Sequence, residues 1–174
     1  MVINTAEEIE NLKKAVQDNA NLTCERLKEK TQLLSATTLL EELKFDKLGV
    51  DPITGTELNF IEQMNQMFSD LVVFEGARRI LQLYPGKELK LNLGSSPGFD
   101  IETTDGEVVA ECFASTTATS NRKLEKDCQK LLSKAETKKK YVFFYTRNDS
   151  EEKLMRIYEK YPEITCIRVS TFEF

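Results

Sequence analysis

The sequence predicts an α/β fold whose core follows the order helix, three strands, helix, strand, with a helical arm before it. Three observations predict this order. Apolar side chains recur at every third or fourth position across residues 57–84, which is the period of a helix. Short alternating or apolar runs, separated by turn residues, then fill residues 89–114. Helical and strand-like segments alternate from residue 121 to residue 169.

The amino-terminal arm, residues 1–56, is predicted to contain two helices. Apolar residues at helical spacing, with charged residues between them, cover residues 5–34, and Thr5 followed by Glu8 matches a capping box. A second helix is predicted at residues 35–43, before a cluster of turn residues ends the arm. The arm suits a scaffold, and it is also a candidate contact for a homodimer.

Residues 57–174 are predicted to form the α/β domain. Pro85-Gly86 ends its long first helix, and Asp105-Gly106 joins two of its strands in a tight hairpin. Ser120 is the predicted cap of the helix that follows the hairpin. The predicted elements are a helix at 57–84, strands at 89–93, 99–103 and 107–114, a helix at 121–135, a strand at 141–145, a helix at 150–161 and a strand at 164–169.

Composition excludes several classes of site. The chain has no histidine, and its four cysteines include no CxxC pair, so we expect neither a zinc site nor a disulfide. Nucleophilic catalysis that needs a histidine partner is excluded, and no glycine-rich phosphate loop is present. Chemistry based on carboxylates, lysine and oxygen-bound metals remains. Without a long uncharged apolar run or a signal pattern, we expect a soluble, cytoplasmic protein with no membrane partner.

Two carboxylates are predicted to meet across the hairpin. Asp100 begins one strand and Glu111 lies on the next, so the turn between them places the two residues on neighbouring strands. Apolar neighbours predict that Glu111 is buried, and a buried glutamate needs a partner. Two such carboxylates can share a magnesium ion, which promotes attack of water on a phosphodiester. The alternative is a pair of ordinary carboxylates at strand ends.

The residues PGFDI at 97–101, followed by ECF at 111–113, resemble the acidic half of a PD-(D/E)xK phosphodiesterase site. The surrounding helices and strands are similar in order to those of the family. The resemblance implies a restriction endonuclease-like fold, with a mixed central sheet flanked by helices. It also implies a DNA endonuclease dependent on Mg²⁺, or on Mn²⁺, in which Asp100 and Glu111 bind the metal. The motif has a lysine where this chain has Phe113.

Phe113 breaks the pattern of the family. Because side chains alternate along a strand, Phe113 shares the face of Glu111. In one interpretation Lys123 from the next helix, or less readily Lys126, reaches the site in place of the absent lysine. In the other, the fold has lost its catalytic activity and serves as an interaction subunit for nucleic acid or protein.

Glu75, in an apolar part of the long helix, is a further candidate catalytic residue. It resembles the helix acid that some members of the family contribute to the site. An ion pair with Arg78 or Arg79 is the alternative. A small doubly wound domain with no link to nucleic acids is also an alternative for the whole domain, since many α/β folds share this alternation.

Residues 121–140 form a basic stretch in a chain whose net charge is −5, with eight basic and three acidic residues. Contacts from lysine and arginine to phosphate supply affinity that does not depend on base sequence. Because the stretch directly follows the acidic pair, we expect it to bind DNA through Arg122, Lys126 and Lys130. A solvated helix face is the alternative.

Overall fold

The computed structural model describes residues 1–94, 97–133 and 136–172. The end of the helix predicted at 121–135 lies outside these residues. None of the described helices is both long enough and apolar enough to span a membrane. In chain order the elements are β1 (Val2–Ile3), α1 (Ala6–Leu33), α2 (Ala36–Phe45), β2 (Gly49–Val50), β3 (Glu57–Leu58), α3 (Phe60–Leu83), β4 (Leu89–Leu91), β5 (Ile101–Thr103), β6 (Val108–Ala114), a 3₁₀ turn (Ser120–Arg122), α4 (Lys123–Leu132), β7 (Lys139–Tyr145), α5 (Glu151–Lys160) and β8 (Thr165–Arg168).

The main sheet has six strands in the order β1-β4-β5-β6-β7-β8. The first four strands pair antiparallel, whereas β6, β7 and β8 pair in parallel. The strands β6, β7 and β8 can be parallel because α4 connects β6 to β7 and α5 connects β7 to β8. Each helix carries the chain back to the end of the sheet where the previous strand began, as parallel neighbours require. The predicted α/β class is therefore confirmed, with a mixed sheet and the additional edge strand β1.

A tight turn sets the register between β5 and β6. The Gly106 amide donates to the Thr103 carbonyl at 2.8 Å, and Gly106 has a φ of 72°, a left-handed value that glycine adopts without strain. The turn pairs Ile101 with Ala110 across the two strands. Continued by one residue, this register sets Asp100 directly opposite Glu111.

The two faces of the sheet are covered by different helices. On one face α3 lies so close that a Cβ added to Gly76 would be 2.7 Å from the Phe143 ring and 3.0 Å from Ile101. On the other face α4 and α5 pack on a buried cluster that includes Val109, Phe113 and other side chains of β6 and β7. Because side chains alternate along β6, Glu111 lies on the face covered by α4 and α5.

The chain divides into two compact units. Among the described residues, one comprises Met1–Ile9 together with the chain from Ser69 to residue 172, and the other comprises Glu10–Phe68. This division differs from the predicted boundary after residue 56, because the first turns of α3 bond within the helical unit. The Gln63 side chain accepts hydrogen bonds from the Thr23 hydroxyl at 2.7 Å and from the amide of β2 residue Val50 at 3.1 Å.

Two of the predicted helix caps can be compared with the structure. The capping box of α1 is confirmed, since the Thr5 amide donates to Glu8 Oε2 at 3.0 Å and the Glu8 amide donates to Thr5 Oγ1 at 3.2 Å. The cap predicted at Ser120 is wrong. Helix α4 begins after Arg122, which has a left-handed φ of 55° and makes no side-chain cap, and the Ser120 hydroxyl pairs with that of Thr117.

Candidate active site

Asp100 and Glu111 form the centre of the candidate site. Asp100 directly precedes β5 and lies opposite Glu111 of β6 in the continued register, so the two side chains share the face that α4 covers. The Cys112 amide donates to Asp100 Oδ2 at 2.6 Å, which holds the Asp100 carboxylate against β6. Burial raises the pKa of Asp100, against the opposing effects of this hydrogen bond and of the nearby ammonium groups of Lys130 and Lys123. The predicted meeting of the two acids is thus present in the geometry.

Glu111 is a buried carboxylate whose charge is only partly compensated. Its side chain is 3% exposed, and the Lys130 ammonium lies 2.7 Å from its Oε1. This ion pair lowers the pKa of Glu111, but it does not cancel the effect of burial. Burial, and secondly the charge of Asp100, raise the pKa of Glu111 to about 7. The site therefore favours a proton or a further cation at this oxygen.

Helix α4 contributes a third carboxylate and two lysines. Lys123, Asp127 and Lys130 are spaced four and three residues apart, so they lie on one face of the helix. The Lys123 ammonium donates to Asp127 Oδ1 at 2.7 Å, whereas the buried Asp127 Oδ2 has no hydrogen-bond partner among the described residues. Burial raises the pKa of Asp127, and Lys123 opposes this effect. Three carboxylates and two ammonium groups thus gather beside β6.

Phe113 belongs to the core. Its side chain is 3% exposed and its ring stacks on that of Phe144, with the ring centroids 5.6 Å apart. The Lys123 ammonium lies 5.7 Å from the centroid of the Phe113 ring. A lysine at the start of α4 therefore lies over the ring of Phe113.

Lys130, which the sequence assigned to DNA binding, lies among the acids. Besides its contact with Glu111, its ammonium donates to the Gly98 carbonyl at 2.6 Å. It also lies 5.4 Å from the centroid of the Phe99 ring. These contacts tie the last turns of α4 to the segment that leads into β5.

The other two residues expected to bind DNA lie on the solvent side of α4. The Arg122 side chain is 68% exposed and pairs with Glu125, with Nε and Oε2 2.7 Å apart. Lys126 is exposed, and no ion pair joins it to another described residue. Both groups are accessible to an external phosphate.

Glu75 is not brought to the other acids. It forms an ion pair with Arg78, in which Nη2 and Oε2 are 2.6 Å apart. Its neighbour Gly76 faces Phe143, so this part of α3 covers the face of the sheet opposite to Glu111. Glu75 was predicted either to join the catalytic site or to form an ion pair, and the structure shows the ion pair with Arg78.

The sequence did not lead us to predict a role for Asp127 in the site. It also did not predict the contact between Lys130 and Glu111. A signal for Asp127 was present, because the apolar residues Leu124, Cys128 and Leu131 mark the buried face of α4 and Asp127 lies on that face. A buried aspartate needs a partner, as a buried glutamate does. For Lys130 no comparable local signal existed, since its contacts depend on how α4 packs on the sheet.

The donor set suits a magnesium ion. The described residues contain no group of three or more acidic or cysteine side chains arranged around one metal position. Asp100 and Glu111 nevertheless offer two adjacent carboxylates, and magnesium commonly binds one or two carboxylates while it keeps several waters. Carboxylate oxygens are the donors that magnesium prefers. The residues present therefore fit the ion.

Comparison with known proteins gives no relative. No family model matches the chain, and neither a curated protein nor a solved structure matches it.

Proposed function

We propose that the chain is a magnesium-dependent phosphodiesterase that acts on DNA, with a restriction endonuclease-like fold. The observation that carries the proposal is the position of Asp100 opposite Glu111, with a lysine ammonium above the ring of Phe113. Carboxylates for a metal and an ammonium for the phosphate are the groups that hydrolysis of a phosphodiester requires in a site without histidine.

The topology supports the finer assignment of the fold. Helix α3 precedes three antiparallel strands, β4, β5 and β6, and α4 then leads to β7, which pairs in parallel with β6. This order is similar to the core of the PD-(D/E)xK family. In that family the two acids lie on the second and third strands, which correspond to the positions of Asp100 and Glu111 here.

Each residue of the site has a role in the proposal. Asp100 and Glu111 would hold the magnesium ion, which would supply Lewis-acid polarisation of the phosphodiester. The Lys123 ammonium would stabilise the negative charge that develops on the phosphate oxygens as water attacks. Asp127 holds Lys123 in place through the bond at 2.7 Å. Water adds across one P–O bond, its proton passes to the leaving oxygen, and a phosphomonoester and a hydroxyl end result.

DNA would approach over the exposed face of α4. Lys126 and Arg122 lie there, and both can contact backbone phosphates without recognising the bases. The rest of the chain is acidic overall, with a net charge of −5, so contact would be restricted to this basic face. Glu75 has no role in the proposal because it lies across the sheet.

A cleavage assay tests the proposal. Supercoiled plasmid, duplex oligonucleotide and single-stranded RNA would be incubated with the purified chain in Mg²⁺, in Mn²⁺ and in EDTA. We expect metal-dependent cutting of DNA that falls by about 100-fold or more in Asp100→Asn, Glu111→Gln and Lys123→Met. Lys14→Met, an exposed lysine of α1, and Glu159→Gln, an exposed acid of α5, should cut as the wild type does.

Three results would contradict the proposal. The first is intact DNA under all metal conditions, with the chain shown to be folded by circular dichroism. The second is cutting that persists unchanged in Asp100→Asn, since this would trace the activity to another site or to a contaminant. The third is cutting of RNA alone, which would be consistent with hydrolysis of a phosphodiester but would show that DNA is not the substrate.

One observation favours the second candidate, an inactive nuclease-like subunit that binds nucleic acid. The Lys130 ammonium already lies 2.7 Å from Glu111 Oε1, so the acid is partly neutralised without a metal. In that case DNA would bind in EDTA, binding would be lost on reversal of charge at Lys123, Lys126 and Lys130, and Asp100→Asn would change nothing. A gel-shift assay with the same variants separates the two candidates.

A further inference from the structure

The Lys130 ammonium lies beside Glu111 Oε1, an oxygen that would bind the proposed metal ion. Its ammonium is 2.7 Å from Glu111 Oε1 and 2.6 Å from the Gly98 carbonyl oxygen, and it lies over the Phe99 ring at 5.4 Å. Each of these groups attracts a cation, because the first two are oxygens and the ring presents its negative face. The same oxygens would attract a divalent ion.

An ammonium and a metal cannot both occupy this position. Glu111 is 3% exposed and the Lys130 ammonium already lies 2.7 Å from its Oε1, so a metal bound to this oxygen would lie beside the ammonium. A magnesium ion lies about 2.1 Å from its oxygen ligands, well inside the present distance of the ammonium. Two positive charges at such a separation would repel each other strongly in a buried site.

We propose that Lys130 is an internal counter-ion of Glu111, which holds the acid pair together without metal and must move away before a divalent cation binds. The inference rests on the proposed function, because it concerns the metal site of that function. It assigns Lys130 a regulatory role at the site: the residue sets how tightly the metal binds.

Lys130 has the freedom that this role requires. Its side chain is 43% exposed, although the carboxylate that it contacts is 3% exposed. It lies in the last turns of α4, two residues before Leu132 ends the helix, and its long flexible stem allows the ammonium to turn into solvent without movement of the backbone. Lys123, by contrast, is held by the buried Asp127 and need not move.

The test measures binding of Mn²⁺ alone, without DNA, by calorimetry on the full chain. Lys130→Met removes the charge and keeps the length of the side chain, whereas Lys130→Arg keeps the charge. Lys126→Met removes an exposed charge from the same helix. We expect Lys130→Met to bind Mn²⁺ at least about tenfold more tightly than the wild type, and the other two variants to remain within about threefold of it.

A second measurement uses the wild-type chain, so it does not depend on the folding of a variant. Acetylation of the lysines would be followed by mass spectrometry with and without Mn²⁺. If Lys130 is displaced by the metal, its rate of acetylation should rise at least about threefold relative to that of Lys126. An unchanged ratio in the presence of bound metal would overturn the inference.

The outcomes separate this inference from the function on which it rests. If the wild type binds Mn²⁺ and Lys130→Met binds it equally or more weakly, the inference is wrong and the metal site stands. If only Lys130→Met binds Mn²⁺, the inference is supported in its strongest form. If neither chain binds Mn²⁺ at millimolar concentrations, both the inference and the proposed metal-dependent function fail.

Discussion

Glu111 is a carboxyl group whose pKa is strongly raised by its surroundings. Burial and the charge of Asp100 raise its pKa from 4.5 to about 7. Between these values the folded chain keeps the proton of Glu111, whereas the unfolded chain has lost it. The contribution of Glu111 to the free energy of unfolding therefore falls as the pH rises from about 4.5 to about 7, and the loss is complete above that range.

Glu111→Gln should remove this loss of stability. In metal-free buffer at pH 8 the variant should unfold with a free energy higher by about 1 to 3 kcal/mol, while at pH 5 the two chains should differ little. Lys130 loses its partner but is half exposed, so water replaces the contact. Urea unfolding at both pH values measures the effect, with the exposed Glu159→Gln as control. Lower stability of Glu111→Gln at pH 8 would contradict the assignment.

Phe113 should behave as a core residue. Since its ring is buried against Phe144, Phe113→Ala should lower the free energy of unfolding by about 3 to 5 kcal/mol. Met155→Ala, at a site 52% exposed, should change it by about 0.5 kcal/mol or less. Thermal or urea unfolding measures both. If Phe113→Lys folds as well as the wild type and cuts DNA faster, the assignment of Phe113 as a core residue is wrong, and its position can hold a catalytic lysine.

At the scale of elements, α4 brings most of the chemistry to the sheet. Its buried apolar face fixes how it lies against β6 and β7, and Lys123, Asp127 and Lys130 follow from that placement. Asn121 and Arg122 precede the helix with left-handed φ values of 51° and 55°. Non-glycine residues rarely adopt such values. The turn therefore carries strain directly before the helix of the site begins.

Helix α3 packs on the opposite face through Gly76, which leads to a prediction for this element. Gly76→Ala should destabilise the chain by about 1 to 3 kcal/mol, although alanine is the better helix former, because the new methyl group would meet Phe143 and Ile101. Asn65→Ala, an exposed position of α3, should be neutral or slightly stabilising. Thermal unfolding measures the stability of the two variants relative to the wild type. Equal stability of Gly76→Ala and the wild type would mean that α3 can shift on the sheet.

At the scale of the whole molecule, charge distribution governs access to the site. The chain as a whole carries a net charge of −5, yet eight basic residues occur between residues 121 and 140, some of them exposed on α4. If the proposed function is right, the overall charge should repel DNA at long range, whereas the local face should attract it. Binding should therefore weaken steeply with salt, because each phosphate contact releases a counterion.

Charge reversal at two lysines separates the local effect from the overall one. Lys126→Glu, on the exposed face of α4, should lower DNA affinity about tenfold and reduce the slope of log affinity against log salt by about 1. Lys14→Glu makes the same change in net charge on α1 and should lower affinity by about twofold or less. Fluorescence anisotropy over a range of salt measures both. Equal losses in the two variants would show that net charge, and not the basic face, controls binding.

Features with a local cause could be predicted from the sequence, and features without one could not. The capping box of Thr5 and Glu8 was confirmed because both partners lie within one turn. Strand β1 was missed, since Val2 and Ile3 become a strand only by pairing with β4, far along the chain. The hairpin of β2 and β3 was missed for a similar reason, because each strand has only two residues and shows no alternation.

The sequence by itself determined the order of helices and strands from α3 onward and the meeting of Asp100 with Glu111. Both follow from short-range effects, namely hydrophobic periodicity and a tight turn that sets the register of one hairpin. Only the tertiary structure decided that Glu111 contacts Lys130, that Lys123 pairs with Asp127, and that Glu75 lies across the sheet. These contacts depend on which face of the sheet each helix covers. That placement is determined by the burial of apolar side chains that are far apart in the sequence.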